Sequence, residues 1–167
     1  MATPRSQPVR ATVLDIVGLL ARLGLAAVWL TSGIAKAADP RSTTVAVRAY
    51  QLLPEAMVDV VAAALPYLEL ALGVLLLAGL ATRLVAVLSA ALLLIFIGGV
   101  ISAAARGLSI DCGCFGGGSA VATGTTAYTQ EILRDTGFLA LAVFLAIRPD
   151  TPASVDRIAR RRTGLPA

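Results

Sequence analysis

The sequence contains no histidine. That absence excludes Ser-His-Asp and Cys-His catalysis, histidine-ligated zinc or haem, and histidine proton relays. Charge is scarce too: Asp, Glu, Lys and Arg together make up only 14% of the chain. A soluble domain carries about 25%, because polar groups must cover its surface. With 57% hydrophobic residues and a mean hydropathy of +0.84, this chain reads instead as an integral membrane protein. No Gly-Lys-Ser/Thr loop occurs, which excludes a P-loop nucleotide site. The net charge of +4 is therefore read as a topology signal rather than as a nucleic-acid footprint. At 167 residues the chain has one domain's length. Its two cysteines carry most of its specific information.

Four apolar segments are present, at 13–37, 57–80, 83–105 and 129–147. Crossing about 30 Å of hydrocarbon takes about 20 apolar residues, so each is long enough. Backbone groups find no water in the bilayer core, so the segments are expected to be helices. The Ala/Gly-rich texture suits close helix packing. The first segment is too long for a signal-peptide core and contains Asp15 and Arg22, so it is not read as cleavable. The loop at 38–56 opens with Asp39-Pro40, and 43–53 reads as a short interfacial helix ended by Leu53-Pro54. The expected fold is all-α: an integral membrane four-helix bundle with that short helix in the first outer loop. The expected organisation is a cytoplasmic arm at 1–12, the membrane domain at 13–149 and a basic tail at 150–167, fraying beyond Thr151. No internal repeat is visible.

Lys and Arg placement sets the orientation. Arg5, Arg10, Arg83, Arg148, Arg157, Arg160, Arg161 and Arg162 fall on one side of a four-span chain. Lys36, Arg41, Arg48 and Arg106 fall on the other. Eight against four predicts cytoplasmic termini in the cell membrane. The loops after the first and third spans then face outward. The tail arginines are also placed to meet anionic lipid headgroups.

The outward second loop carries Asp111-Cys112-Gly113-Cys114-Phe115-Gly116-Gly117-Gly118. Glycine between two cysteines allows the tight turn an intraloop disulfide needs. A ring that small departs from relaxed geometry, and strain makes a disulfide easier to reduce. It also closes almost no loop, so it stabilises the fold little. Redox exchange is the functional reading, and a structural disulfide is its rival. Two thiolates fill half a tetrahedral metal site, so metal binding would need a dimer, and no metal ligand set is assigned. Arg106 and Lys36 are expected near the outer face, where a cation tunes a thiolate. Asp111 beside Cys112 opposes ionisation but is placed to handle a proton.

Charges within the spans are costly and usually partnered. Arg22 and Glu69 are expected at similar depth in adjacent antiparallel helices and therefore as a pair. That pair is either a register-fixing ion pair or the polar floor of a cavity for a quinone headgroup. Pro66 would open space there, and Tyr67 would line it. Glu131, Arg134 and Asp135 read as chemistry of a helix start, and Trp29 as a packing residue.

These pieces together resemble the MauE family, within a wider group of DoxX-like four-helix membrane proteins. The strongest is Asp111-Cys112-Gly113-Cys114-Phe115-Gly116 after a third span. Arg22-Leu23-Gly24, Ser32-Gly33-Ile34-Ala35-Lys36 and Tyr50-Gln51-Leu52-Leu53-Pro54 accompany it. Leu65-Pro66-Tyr67-Leu68-Glu69 with Gly73, and Gly79-Leu80-Ala81-Thr82-Arg83, follow in the same order. The resemblance covers roughly 13–149. It implies a role in methylamine utilisation beside a thioredoxin-like partner, MauD, in maturing a disulfide-rich dehydrogenase subunit. At motif level it implies a redox role for Cys112 and Cys114 alone.

The expected function is thiol-disulfide exchange between the Cys-Gly-Cys loop and an extracytoplasmic thioredoxin-like protein, with a membrane quinone as candidate electron carrier. One cysteine pair, where a full relay uses two, leaves either direct contact with quinone or an escort role. The rival is a non-enzymatic scaffold of a redox complex. A transporter built on Arg22 and Glu69 would need a homo-oligomer, and no broken half-helices favour it.

Overall fold

The computed structural model describes residues 7–110 and 128–158. Its elements are α1 (Gln7–Ala38), α2 (Pro40–Ala49), α3 (Glu55–Ala78), α4 (Thr82–Ala105) and α5 (Tyr128–Ile147). Every regular element among the described residues is therefore an α-helix. Three stretches are long and apolar enough to cross a membrane: Thr12–Ala38, Glu55–Ala78 and Thr82–Ala105. The 20 residues of α5 match a span in length, but Glu131, Arg134 and Asp135 fall near its start. Cys112, Cys114 and Asp111 lie outside the described residues.

The four long helices, α1, α3, α4 and α5, alternate in direction. α1 packs along α3, α4 packs along α5, and α1 also meets α5. One end of the bundle, here the base, gathers the α3–α4 turn and the segment after α5. The other end, the crown, gathers α2 and the two residues, Ile110 and Tyr128, that flank the cysteine loop. Trp29 is the centre of the core. It is 1% exposed, donates to Ser89 Oγ at 3.0 Å, and meets the Phe96 ring edge-on at 6.3 Å. Large aliphatic side chains cover the outside; Val60, Ile95 and Leu133 are each at least 66% exposed. In water such a surface would drive association, whereas hydrocarbon is its natural solvent.

Close approach fixes the register of α1 on α3. A Cβ on Gly33 would fall 2.8 Å from Leu70 Cγ and 3.0 Å from the Pro66 carbonyl. One on Gly73 would fall 2.7 Å from Leu30 Cγ. Both sites need hydrogen where any other residue has a carbon. Pro66 lies buried inside an otherwise continuous α3.

Two local expectations change. The short helix starts earlier than 43–53, at Pro40, because Asp39 Oδ1 accepts from the Ser42 amide at 3.0 Å and proline suits the first helical turn. Nor does the chain fray at Thr151. Residues 151–158 fold back under the base, where Thr151 and Ser154 are fully buried. Asp156 accepts from the Ala81 and Thr82 amides at 2.9 and 2.8 Å, capping α4 from a distance. Arg157 reaches Asp15 on α1 at 3.3 Å.

Candidate functional site

Two buried cations organise the bundle, one at each end. At the base, Arg22 Nη1 donates to the carbonyls of Leu76 and Leu77 at 3.0 and 3.2 Å. Its Nη2 donates to the carbonyls of Pro152 and Ala153 at 3.2 and 3.3 Å. The last turn of a helix leaves carbonyls without intrahelical partners, and a guanidinium satisfies several at once. Gly79, the left-handed cap of α3 at φ +67°, leaves the room: a Cβ there would collide with Arg22 Nη1 and Ser154.

At the crown, Lys36 Nζ donates to both Glu69 oxygens, at 2.9 and 3.0 Å, and to Ser32 Oγ. Glu69 is fully buried and Lys36 is 7% exposed. Ser32 and Lys36 are four residues apart on one helix face, so they meet Glu69 together. Asp135 on α5 is also buried; its Oδ1 accepts from Arg134 Nε at 3.0 Å. Its Oδ2 has no hydrogen-bond partner among the described residues.

The expected Arg22–Glu69 pair is thus replaced by Lys36–Glu69. The register explains it. Gly33 against Leu70, and Leu30 against Gly73, put Lys36 level with Glu69. Arg22 lies fourteen residues earlier on α1, roughly 21 Å lower at 1.5 Å per residue. Tyr67 also differs from expectation. It is 70% exposed and points outward among the aliphatic side chains, away from the buried pair. Of the two cations expected to tune a thiolate, Lys36 is held by Glu69. Arg106 donates to the Tyr50, Gln51 and Ser102 carbonyls, tying the loop after α2 to the end of α4.

The residue that sequence reasoning missed is Tyr128. Its hydroxyl donates to the Leu108 carbonyl and accepts from the Ile110 amide at 3.2 Å. One side chain therefore clasps both ends of the segment that carries Asp111, Cys112 and Cys114. A tyrosine at the start of a span, just after a Gly/Ser/Thr-rich loop, was the available signal.

Beside Lys36 a cavity of about 440 Å³ opens between α2, α3 and α4, walled by Tyr50, Leu68, Leu92, Phe96 and Gly99. Among the described residues, no group of three or more acidic or cysteine side chains is placed to hold a metal ion.

Apolar helices sheathed in exposed aliphatic side chains, with Arg22, Lys36 and Glu69 buried on polar partners inside them, define an integral membrane protein. The chain belongs to the MauE family: residues 14–148 match the family described as methylamine utilisation protein MauE. No match is found among curated proteins or solved structures.

Proposed function

We propose that this chain is a membrane thiol-disulfide exchange protein of the methylamine-utilisation type, working through Cys112 and Cys114. In this reading α1, α3, α4 and α5 all cross the bilayer, as in DoxX-like four-span proteins. Both termini are cytoplasmic, α2 lies at the outer interface, and the Cys-Gly-Cys loop is extracytoplasmic. The supporting observation is the Cys-Gly-Cys run in a segment clasped at both ends by Tyr128, within a MauE-family chain.

The chemistry is a pair of exchanges. A thiolate of a thioredoxin-like partner attacks one sulfur of the Cys112–Cys114 disulfide. An intermolecular disulfide forms, and the other cysteine leaves as thiolate. Asp111 or water supplies the proton it takes up. The partner's second thiolate then attacks the mixed disulfide and releases the first cysteine. Partner dithiol becomes disulfide, the loop pair becomes dithiol, and electrons balance. A partner oxidised in this way supports disulfide formation in exported proteins.

Single variants test the reading. Cys112→Ser or Cys114→Ser in native membranes traps the mixed disulfide as a reductant-sensitive adduct containing a thioredoxin-like protein. The double variant traps none. Absence of an adduct from both single variants contradicts exchange and leaves the loop pair as a staple on a scaffold subunit.

A further inference from the structure

We infer that the crown cavity beside Lys36 is a binding site for a quinone-class electron acceptor dissolved in the membrane. The inference rests on the exchange reading, because it supplies the oxidant that reading leaves open. Each turnover leaves two thiols that must lose two electrons and two protons. The chain has no second cysteine pair to receive them. A hydrocarbon-soluble quinone takes up both electrons and both protons and becomes the quinol, while the Cys112–Cys114 S–S bond re-forms. No further reactant is needed.

Four observations support the placement. First, α3 and α4 are joined by the short turn at 79–81 at the base, yet touch far less than α1 and α3 do. The space of about 440 Å³ lies between them toward the crown. Second, its rim bears Leu68 and Ile95, 46% and 67% exposed, which belong to the lipid-facing belt. The mouth thus opens sideways into hydrocarbon, the phase in which such an acceptor travels.

Third, the wall is apolar except for Lys36, Thr43 and Tyr50. A flat ring with carbonyl oxygens suits an apolar slot with one cation at its inner end. The Lys36 ammonium, 5.9 Å from the Phe96 ring centroid, marks where those oxygens belong. Glu69 behind it supplies the counter-charge that lets the cation lie buried there. Fourth, Arg106 binds the carbonyls of Tyr50 and Gln51 beside the cavity and lies six residues before Cys112. The cavity and the start of the cysteine loop therefore share one anchor.

The protein contains its own reporter. Trp29 is the sole tryptophan and packs on Phe96, a wall residue. The test titrates ubiquinone-1 into the full-length protein in phosphatidylcholine nanodiscs and follows Trp29 fluorescence. Three variants accompany it. Gly99→Leu fills the cavity, since a Cβ there meets only the Tyr50 ring and Leu52 at ordinary contact distance. Ala64→Phe fills it from the exposed side of α3. The Cys112→Ser/Cys114→Ser double variant leaves it intact but cannot exchange.

The expected result is saturable quenching in the wild type and the cysteine double variant. Half-saturation should move at least tenfold higher in both filled variants. Quenching that never saturates, or that is the same in the filled variants, would mean that quinone only partitions into lipid and would overturn the inference. So would loss of the signal on adding short-chain phosphatidylcholine at equal concentration, which would assign the cavity to an acyl chain. These outcomes leave the exchange reading standing, because mixed-disulfide trapping tests that reading without quinone.

Discussion

The base and the crown handle a buried positive charge in opposite ways. At the base, Arg22 is surrounded by four backbone carbonyls from two segments distant in sequence. Carbonyls cannot change protonation state or swing away, so the arrangement has a single geometry and acts as a clamp. At the crown, Lys36 faces a carboxylate, a hydroxyl and the edge of a cavity. Each of those partners can be exchanged for a ligand or altered by a proton. Arginine suits the first task, because its planar fork donates in several fixed directions, and lysine suits the second. The contrast separates a clamped end from the end to which the proposed chemistry is assigned.

Removing the crown carboxylate should break the comparison most severely. Glu69→Leu leaves Lys36 buried without its counter-charge, at an expected cost of about 3–5 kcal/mol. Unfolding in mixed detergent micelles would measure it. The double variant Lys36→Met/Glu69→Leu should recover most of that loss, because well-packed apolar groups replace a buried pair at little cost. If the double variant is as unstable as the single one, Lys36 and Glu69 are not acting as a pair.

Arg22→Met should come next, at about 3 kcal/mol for the charge-assisted hydrogen bonds lost. Its signature differs from that of the crown variants. The segment after α5 should detach first, giving faster tryptic cleavage at Arg157 while the bundle stays folded. Gly79→Ala sharpens the same point on a smaller scale. A side chain at φ +67° and a Cβ pressed on Arg22 and Ser154 should together cost about 2 kcal/mol. The same tryptic assay should register it. Arg48→Ala should do least. Its contacts to Glu55 and Asp59, at 2.6 and 3.7 Å, are exposed, so the change should stay below about 1 kcal/mol.

Much of the fold was legible because apolar length is a local property. The segments read at 57–80 and 83–105 lie within two residues of α3 and α4 at each end. Charge pairing was not legible, because it depends on helix register, and hydropathy is nearly blind to register. The α1–α3 register is set by two missing side chains, at Gly33 and Gly73, and it moved Glu69 from Arg22 to Lys36. The packing of the segment after α5 was not legible for a related reason. An Arg-rich, Pro-containing stretch looks like a frayed end by composition. What holds it is Arg22, about 130 residues earlier, together with the cap that Asp156 provides to α4. Cys112 and Cys114 stood out at once, because two cysteines spaced by one glycine need no tertiary context to be noticed.

The most direct test of the account is a redox titration of Cys112 and Cys114 in native membranes, read by the mass shift of a thiol-alkylating reagent. Exchange predicts a pair that passes from disulfide to dithiol within the range a thioredoxin-like partner can reach, about −120 to −270 mV. A pair that stays fully oxidised well below that range would contradict exchange and make the Cys-Gly-Cys loop a permanent structural link.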